Sequence, residues 1–378
     1  MFVLIGVLTR SALRSAKKRE SKIGVLLKIF LNYLQMTVLV ADFHLNWPTT
    51  LQQAFSSHQF AGNSGEQYLS LDCLLPRPFF DKTLGIALLP LALVAVNLLF
   101  WGLLWAFSRL SGRSVRVHEK LVCSTIVSLF YFHLYITHTA LSSFGCIAIP
   151  PGDTWLRAET ANKCWDGLHL TYSLAVALPA VCLWSAGIPA LALLLLVRHR
   201  KQLWEGRKRD MMGFLCVGYQ KKFFFWEILT IYRKACVATL QIFMSGFSIS
   251  TQAMTLVALL FVTAQLQRVF APFSLDILNR AEHCSLLVVL LTAYAGLYFS
   301  LGSLSSSAQI TLLALVILAH CWYVLYVSKV LFRAKLRLLL RRLNLVHTTV
   351  LPPLLSLTRW RKHAYLSRLE SQALKFTS

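Results

Sequence analysis

Between Gly218 and Lys234 the chain reads Gly-Tyr-Gln-Lys-Lys-Phe-Phe-Phe-Trp-Glu-Ile-Leu-Thr-Ile-Tyr-Arg-Lys. Three ionisable side chains, Glu227, Arg233 and Lys234, thus fall where the sequence turns apolar. An ionisable residue inside a membrane helix costs about 2.5–3.5 kcal/mol on insertion scales, so it faces protein or water rather than lipid. Glu227 and Lys234 are seven apart, on one helical face but about two turns from each other, too far for one direct pair. Each therefore needs a partner elsewhere. Candidates stand at Asn279-Arg280-Ala-Glu282-His283, where another apolar stretch begins from the same side and at similar depth. The pattern predicts a polar cluster, structural or gating, in which Arg233 or Lys234 meets Glu282 and Glu227 meets Arg280. The alternative is that Arg233 and Lys234 snorkel to lipid headgroups and Glu227 is interfacial.

Other residue types invite chemistry with less specificity. His133 and His138 are five apart and do not share a helical face, so a metal would need a third ligand such as Cys146 or His169. Hydrogen-bonded histidines packed between helices are the expectation, and no metal or cofactor is predicted. Gly187-Ile188-Pro189 lies inside an apolar stretch, where proline removes a backbone hydrogen bond and kinks the helix as a static bend or a hinge. Of nine cysteines, Cys73, Cys146 and Cys164 fall in or beside polar loops on one side; three allow one disulfide, and Cys73–Cys164 is favoured because it would tie the two long loops together. The remaining six read as small apolar residues. His-Glu-x-x-His, Gly-x-Ser-x-Gly and phosphate-cradling glycine loops do not occur, so catalysis is not expected.

These residues must be carried by membrane helices. The chain has 378 residues, 56% hydrophobic and only 14% charged, too apolar for a soluble domain of this size. The sequence predicts an all-α polytopic protein with eight spans, near 23–43, 83–108, 120–148, 168–197, 224–246, 250–271, 279–301 and 307–331. The first, interrupted by Lys28, Asn32 and Gln35, is the least clearly marked. With the basic segment before residue 23 placed inside, 34 of the 38 Lys and Arg residues fall on the inner side. Only Arg77, Lys82, Arg157 and Lys163 fall outside, so both termini are expected to be cytoplasmic. Residues 1–22 form a basic segment, 23–331 the membrane domain, and 332–378 a basic tail. The opening Met-Phe-Val-Leu-Ile-Gly-Val-Leu-Thr resembles the inner end of a truncated span, and suggests the C-terminal part of a longer protein.

The net charge of +23 does not point to nucleic acid, because the basic residues are mostly juxtamembrane. They face anionic lipid, which attracts each by roughly 1 kcal/mol. The tail helix places Arg333, Lys335, Arg337, Arg341 and Arg342 for contact with anionic lipid on the cytoplasmic face, before Pro352-Pro353 interrupts it. Plasma membrane is the expected location.

Several stretches resemble the C-terminal membrane region of large protist, algal and oomycete proteins whose ectodomains carry ephrin-receptor-like cysteine-rich repeats. The carrying residues are Lys28-Ile-Phe-Leu-Asn32-Tyr-Leu-Gln35, Asn46-Trp47-Pro48, Leu71-Asp72-Cys73-Leu74 and Gly187-Ile188-Pro189. Gly218-Tyr219 with Trp226-Glu227 and Arg233-Lys234 is the most specific, and Asn279 with Glu282 closes the set. That family is distantly similar to transient-receptor-potential-like membrane domains, which implies a cation channel. The net-negative outer loops agree with one. The loop after the fifth span has no room for a re-entrant filter, so a filter would need side-chain rings in a homo-oligomer. The alternatives are the membrane anchor of a receptor or adhesion protein, and a secondary transporter, against which stands the lack of paired broken helices.

Overall fold

The computed structural model describes residues 22–43, 45–62, 79–112, 117–149, 152–204, 206–302 and 305–350. The chain divides into two compact units, residues 1–323 and 324–378. In the first, the helices are α1 (Lys22–Ala41), α2 (Thr49–Gly62), α3 (Phe79–Leu110) and α4 (Val117–Ser142). They continue with α5 (Gly167–Arg198), α6 (Gly206–Cys216), α7 (Trp226–Phe243), α8 (Ile249–Phe270) and α9 (Asp276–Leu301). The last helix, α10 (Ser306–Val350), begins in the first unit and supplies the described part of the second.

Seven of these helices, α1, α3, α4, α5, α8, α9 and the Ser306–Arg337 stretch of α10, are long and apolar enough to cross a membrane. The expected fifth span, α7, has 18 residues, or about 27 Å at 1.5 Å per residue. One-turn 3₁₀ segments, Lys221–Phe223 and Met244–Gly246, extend it at either end. Its hydropathy is lowered by Glu227, Arg233 and Lys234, the residues that need explaining.

α3 displays Leu88, Leu99, Leu103, Phe107 and Leu110, each at least half exposed, whereas α1 is buried along most of its length. Lys28, Asn32 and Gln35, which make α1 a poor span by composition, are buried with it. A helix interrupted by three polar side chains is therefore central, and one of the most apolar is peripheral.

The all-α expectation needs one amendment. Residues 146–148, read as the end of a span, instead begin a hairpin of β1 (Cys146–Ile149) against antiparallel β2 (Asp153–Leu156). Beyond it, Glu159 Oε2 accepts from the Phe79 backbone N–H at 3.2 Å and from Asn162 Nδ2 at 2.9 Å. A carboxylate thus meets an unsatisfied donor at the start of α3, where the helix dipole favours negative charge. Across the hairpin the exposed Lys163–Asp153 pair closes at 2.8 Å, and that hydrogen bond raises the Lys163 pKa.

The prolines in α3 and α5 are served by side chains of neighbouring helices. Pro189 has no N–H for the Ser185 carbonyl one turn earlier, and His133 Nε2 of α4 lies 3.0 Å from that oxygen. Trp184 Nε1 likewise donates at 2.9 Å to the Ala87 carbonyl, in the turn before Pro90 of α3. π-helical turns at Ser173–Ala177 and Val181–Gly187 absorb the remaining mismatch in α5. His133 and His138 are thus both hydrogen-bonded between helices, His138 Nε2 lying 3.2 Å from Gln241 Oε1.

Candidate functional site: a buried polar ladder

The charged residues of α7 meet α1, α9 and the loop that precedes α7. Lys28 Nζ lies 2.7 Å from Glu227 Oε2, with side chains 6% and 4% exposed. The same carboxylate oxygen accepts from Tyr219 Oη at 2.9 Å. The Lys28 ammonium also donates to the Phe214 carbonyl at 3.2 Å and sits over the Phe214 and Tyr219 rings. One turn or two along, Lys234 Nζ donates to Asn32 Oδ1 at 3.1 Å and to Gln35 Oε1 at 2.8 Å. At the far end, Gln241 Nε2 donates to the Asp42 carbonyl at 3.1 Å.

These contacts share one register. Lys28 with Glu227, Gln35 with Lys234 and Asp42 with Gln241 each join residues 199 apart in sequence. The spacing within each helix is seven residues, so α1 and α7 run parallel with a heptad seam, as in a coiled coil. Polar rungs about 10 Å apart replace the usual apolar knobs. Together the rungs form a ladder along the helix pair.

α9 adds a side branch. Arg233 Nη2 lies 2.8 Å from Glu282 Oε1, while Arg233 Nε and Glu282 Oε2 have no hydrogen-bond partner among the described residues. Asn279 serves the loop before α9: its Oδ1 accepts from Phe273 N and its Nδ2 donates to Phe273 O, both at 2.9 Å. Phe273 in turn stacks on Tyr219 with ring centroids 4.6 Å apart. Asn279 therefore positions Tyr219, and Tyr219 positions Glu227. Trp226 Nε1 completes this level by donating to Gln267 Oε1 of α8 at 3.2 Å.

The expected partners are thus met in part. Arg233 pairs with Glu282 as anticipated. Glu227 does not meet Arg280, which is exposed; it pairs with Lys28 instead. Lys234 does not meet a carboxylate but two neutral amides. Arg233 and Lys234 are buried within the chain, not turned toward headgroups. With all groups ionised, the cluster holds three cations, Lys28, Arg233 and Lys234, against two carboxylates, Glu227 and Glu282.

Gly218 fixes the loop that brings Tyr219 over Glu227. Its φ of +99° is one that side chains rarely adopt, and a Cβ there would lie 2.7 Å from Val25 of α1. Gly218→Ala should cost about 1–3 kcal/mol, from backbone strain and overpacking. Thermal unfolding in detergent checks this, and a Val25→Ala change in the same chain should recover only the packing part.

The disulfide joins Cys146 to Cys164, not Cys73 to Cys164; Cys73 lies outside the described residues. The pairing is local because the hairpin sets Cys146 opposite Leu156 and the chain returns through Cys164 N–H to the Thr154 carbonyl. His169 is close enough to make a three-residue metal-like group with these cysteines. Its nitrogens are already used: Nδ1 accepts from Trp165 N and Nε2 faces the Ser143 carbonyl, both at 3.0 Å. With the sulfurs bonded to each other, this donor set reads as structural.

Gly187 and Pro189 lie in α5, where His133 meets the Ser185 carbonyl that Pro189 leaves without a donor. Among the tail residues, Arg333 is half-buried and Lys335 and Arg337 are exposed; the side chains of Arg341 and Arg342 lie outside the described set, as do Pro352 and Pro353.

No family model matches the chain, and no solved structure is similar to it. It is similar to the cysteine repeat modular protein A of Toxoplasma gondii, 27% identical over 230 aligned residues. The match covers 57% of this chain but only 7% of that protein.

Proposed function

We propose that the chain is an integral membrane domain of eight crossings, with both termini cytoplasmic, acting as the anchor of a surface receptor or adhesion protein. The observation that carries the reading is the ladder: the charges that make α7 a poor span by composition are matched inside the protein. Helix direction supports the same count. Tyr33 of α1 and Thr292 of α9 share the imidazole of His320, and Trp47, beyond the end of α1, packs on Gly296 further along α9. The two helices therefore run the same way. If the seven apolar helices all cross, α9 is parallel to α1 only when α7 crosses as well. The positive-inside distribution then places the amino-terminal ends of α1, α7 and α9 in the cytoplasm.

The anchor role draws on the Toxoplasma relative, named for cysteine repeats, in which the matched region is a small fraction of the whole. A bundle crosslinked by buried polar contacts suits that role, since polar groups bonded to one another hold helices in one arrangement. Membrane lipids, anionic on the cytoplasmic face, are the partners this implies, with the plasma membrane as the location.

A second reading is a cation-channel-like pathway, favoured by the polar rungs along the α1–α7 seam. Whole-cell current in cells that carry the protein at their surface separates the two. The anchor reading predicts current no greater than in untransfected cells. A current whose selectivity or gating changes in Lys234→Ala would overturn it and assign the ladder to permeation.

A further inference from the structure

The α8–α9 hairpin carries a groove of about 660 Å³ on its outward face, lined by Met254, Ala258, Phe261, Leu287, Leu291 and Tyr294 among others. Its shape follows from one small residue. Ala258 sits between Met254, one turn before it, and Phe261, one turn after, so the two large side chains flank a notch. Along α9 the lining runs from Leu287 to Leu297, or about 15 Å of helix. In the orientation proposed above, this is the outer half of the membrane.

Polarity is confined to one end. Tyr294 Oη and Tyr298 Oη lie 2.9 Å apart, so one hydroxyl donates to the other and the second O–H is left to donate. Tyr298 is one turn nearer the outer end of α9 than Tyr294. The outer ends of α8 and α9 carry no Lys or Arg between Met244 and Thr255 or between Tyr298 and Thr311. A phosphate headgroup would find no cation there, whereas a lipid whose only polar group is a hydroxyl would find a hydroxyl pair.

We propose that this groove is a sterol site: a rigid apolar body lies against Ala258 between Met254 and Phe261, and its hydroxyl meets the Tyr294–Tyr298 pair. The proposal rests on the membrane reading above. Apolar contact with a lipid-exposed groove supplies shape selection more than raw affinity, because acyl chains compete for the same surface. The hydroxyl pair supplies the orientation.

The test uses the full chain in phosphatidylcholine vesicles with a trace of photoreactive sterol, and a parallel sample with photoreactive phosphatidylcholine. Sterol labelling should concentrate on residues 254–261 and 287–298, fall at least fivefold under excess unlabelled sterol, and fall similarly in Ala258→Trp. Tyr298→Phe, which keeps the ring and its packing, should weaken sterol competition severalfold and serves if the tryptophan variant does not fold. Sterol label spread evenly over α3 and α8, label unchanged by Tyr298→Phe, or equal competition by phosphatidylcholine would overturn the sterol site. Absence of label from both probes would overturn the membrane reading, and the sterol site with it.

Discussion

Lys28→Leu and Glu227→Leu, made singly, should each destabilise the protein by about 3–5 kcal/mol, because each strands a buried charge. The pair sits at 2.7 Å with both side chains almost wholly buried, so no solvent compensates the survivor. Glu227→Leu also removes the acceptor of Tyr219. The double variant should recover a large part of the loss, since an apolar pair of similar volume needs no partner. Its residual deficit measures Tyr219 left without Glu227 and the carbonyl of Phe214 left without Lys28. Unfolding midpoints in detergent, with surface expression beside them, complete the cycle. Additive losses in the double variant would mean that the two residues do not depend on each other.

Cys146→Ser or Cys164→Ser should cost about 3 kcal/mol, the loop-closure entropy expected for an 18-residue separation. The loss should be larger for the outer hairpin than for the helical bundle, because the bond ties β1 to the turn that leads into α5. Replacing Cys73 should leave the bond intact, and peptide mapping without reduction should find Cys146 joined to Cys164 in that variant. A Cys73–Cys164 peptide in the unaltered protein would contradict the structure directly. Persistence of the bond requires an oxidising compartment, which the proposed topology supplies by setting the hairpin on the outer side.

The helical part of the fold was largely legible because membrane-length helices announce themselves by length and hydropathy. The polar cluster was legible in part. Glu227, Arg233, Lys234 and Glu282 were marked by the cost of burying charge, and the depth argument offered Glu282 to either Arg233 or Lys234, of which Arg233 takes it. Lys28 was missed as a partner because composition alone makes α1 look like a weak outer helix. The signal lay in spacing: Lys28 and Gln35 are seven apart, as are Glu227, Lys234 and Gln241. Two helices with the same polar heptad can dock in parallel register, which neither pattern reveals by itself. The disulfide was misassigned for a different reason. Loop length favoured a long-range bond, while the deciding fact was a two-stranded hairpin of four residues each, too short for a pattern to stand out.

The parallel docking of α1 with α7 and α9 makes the crossing of α7 the claim on which the account turns. An epitope tag inserted between Gly246 and Ser248, in the short turn joining α7 to α8, tests it most directly. Antibody binding to intact cells, with a tag at Lys201 reached only after permeabilisation, is the predicted result. A tag after Gly246 that is reached, like the tag at Lys201, only in permeabilised cells, on a protein otherwise confirmed at the surface, would mean that α7 does not cross and that the ladder does not span the membrane.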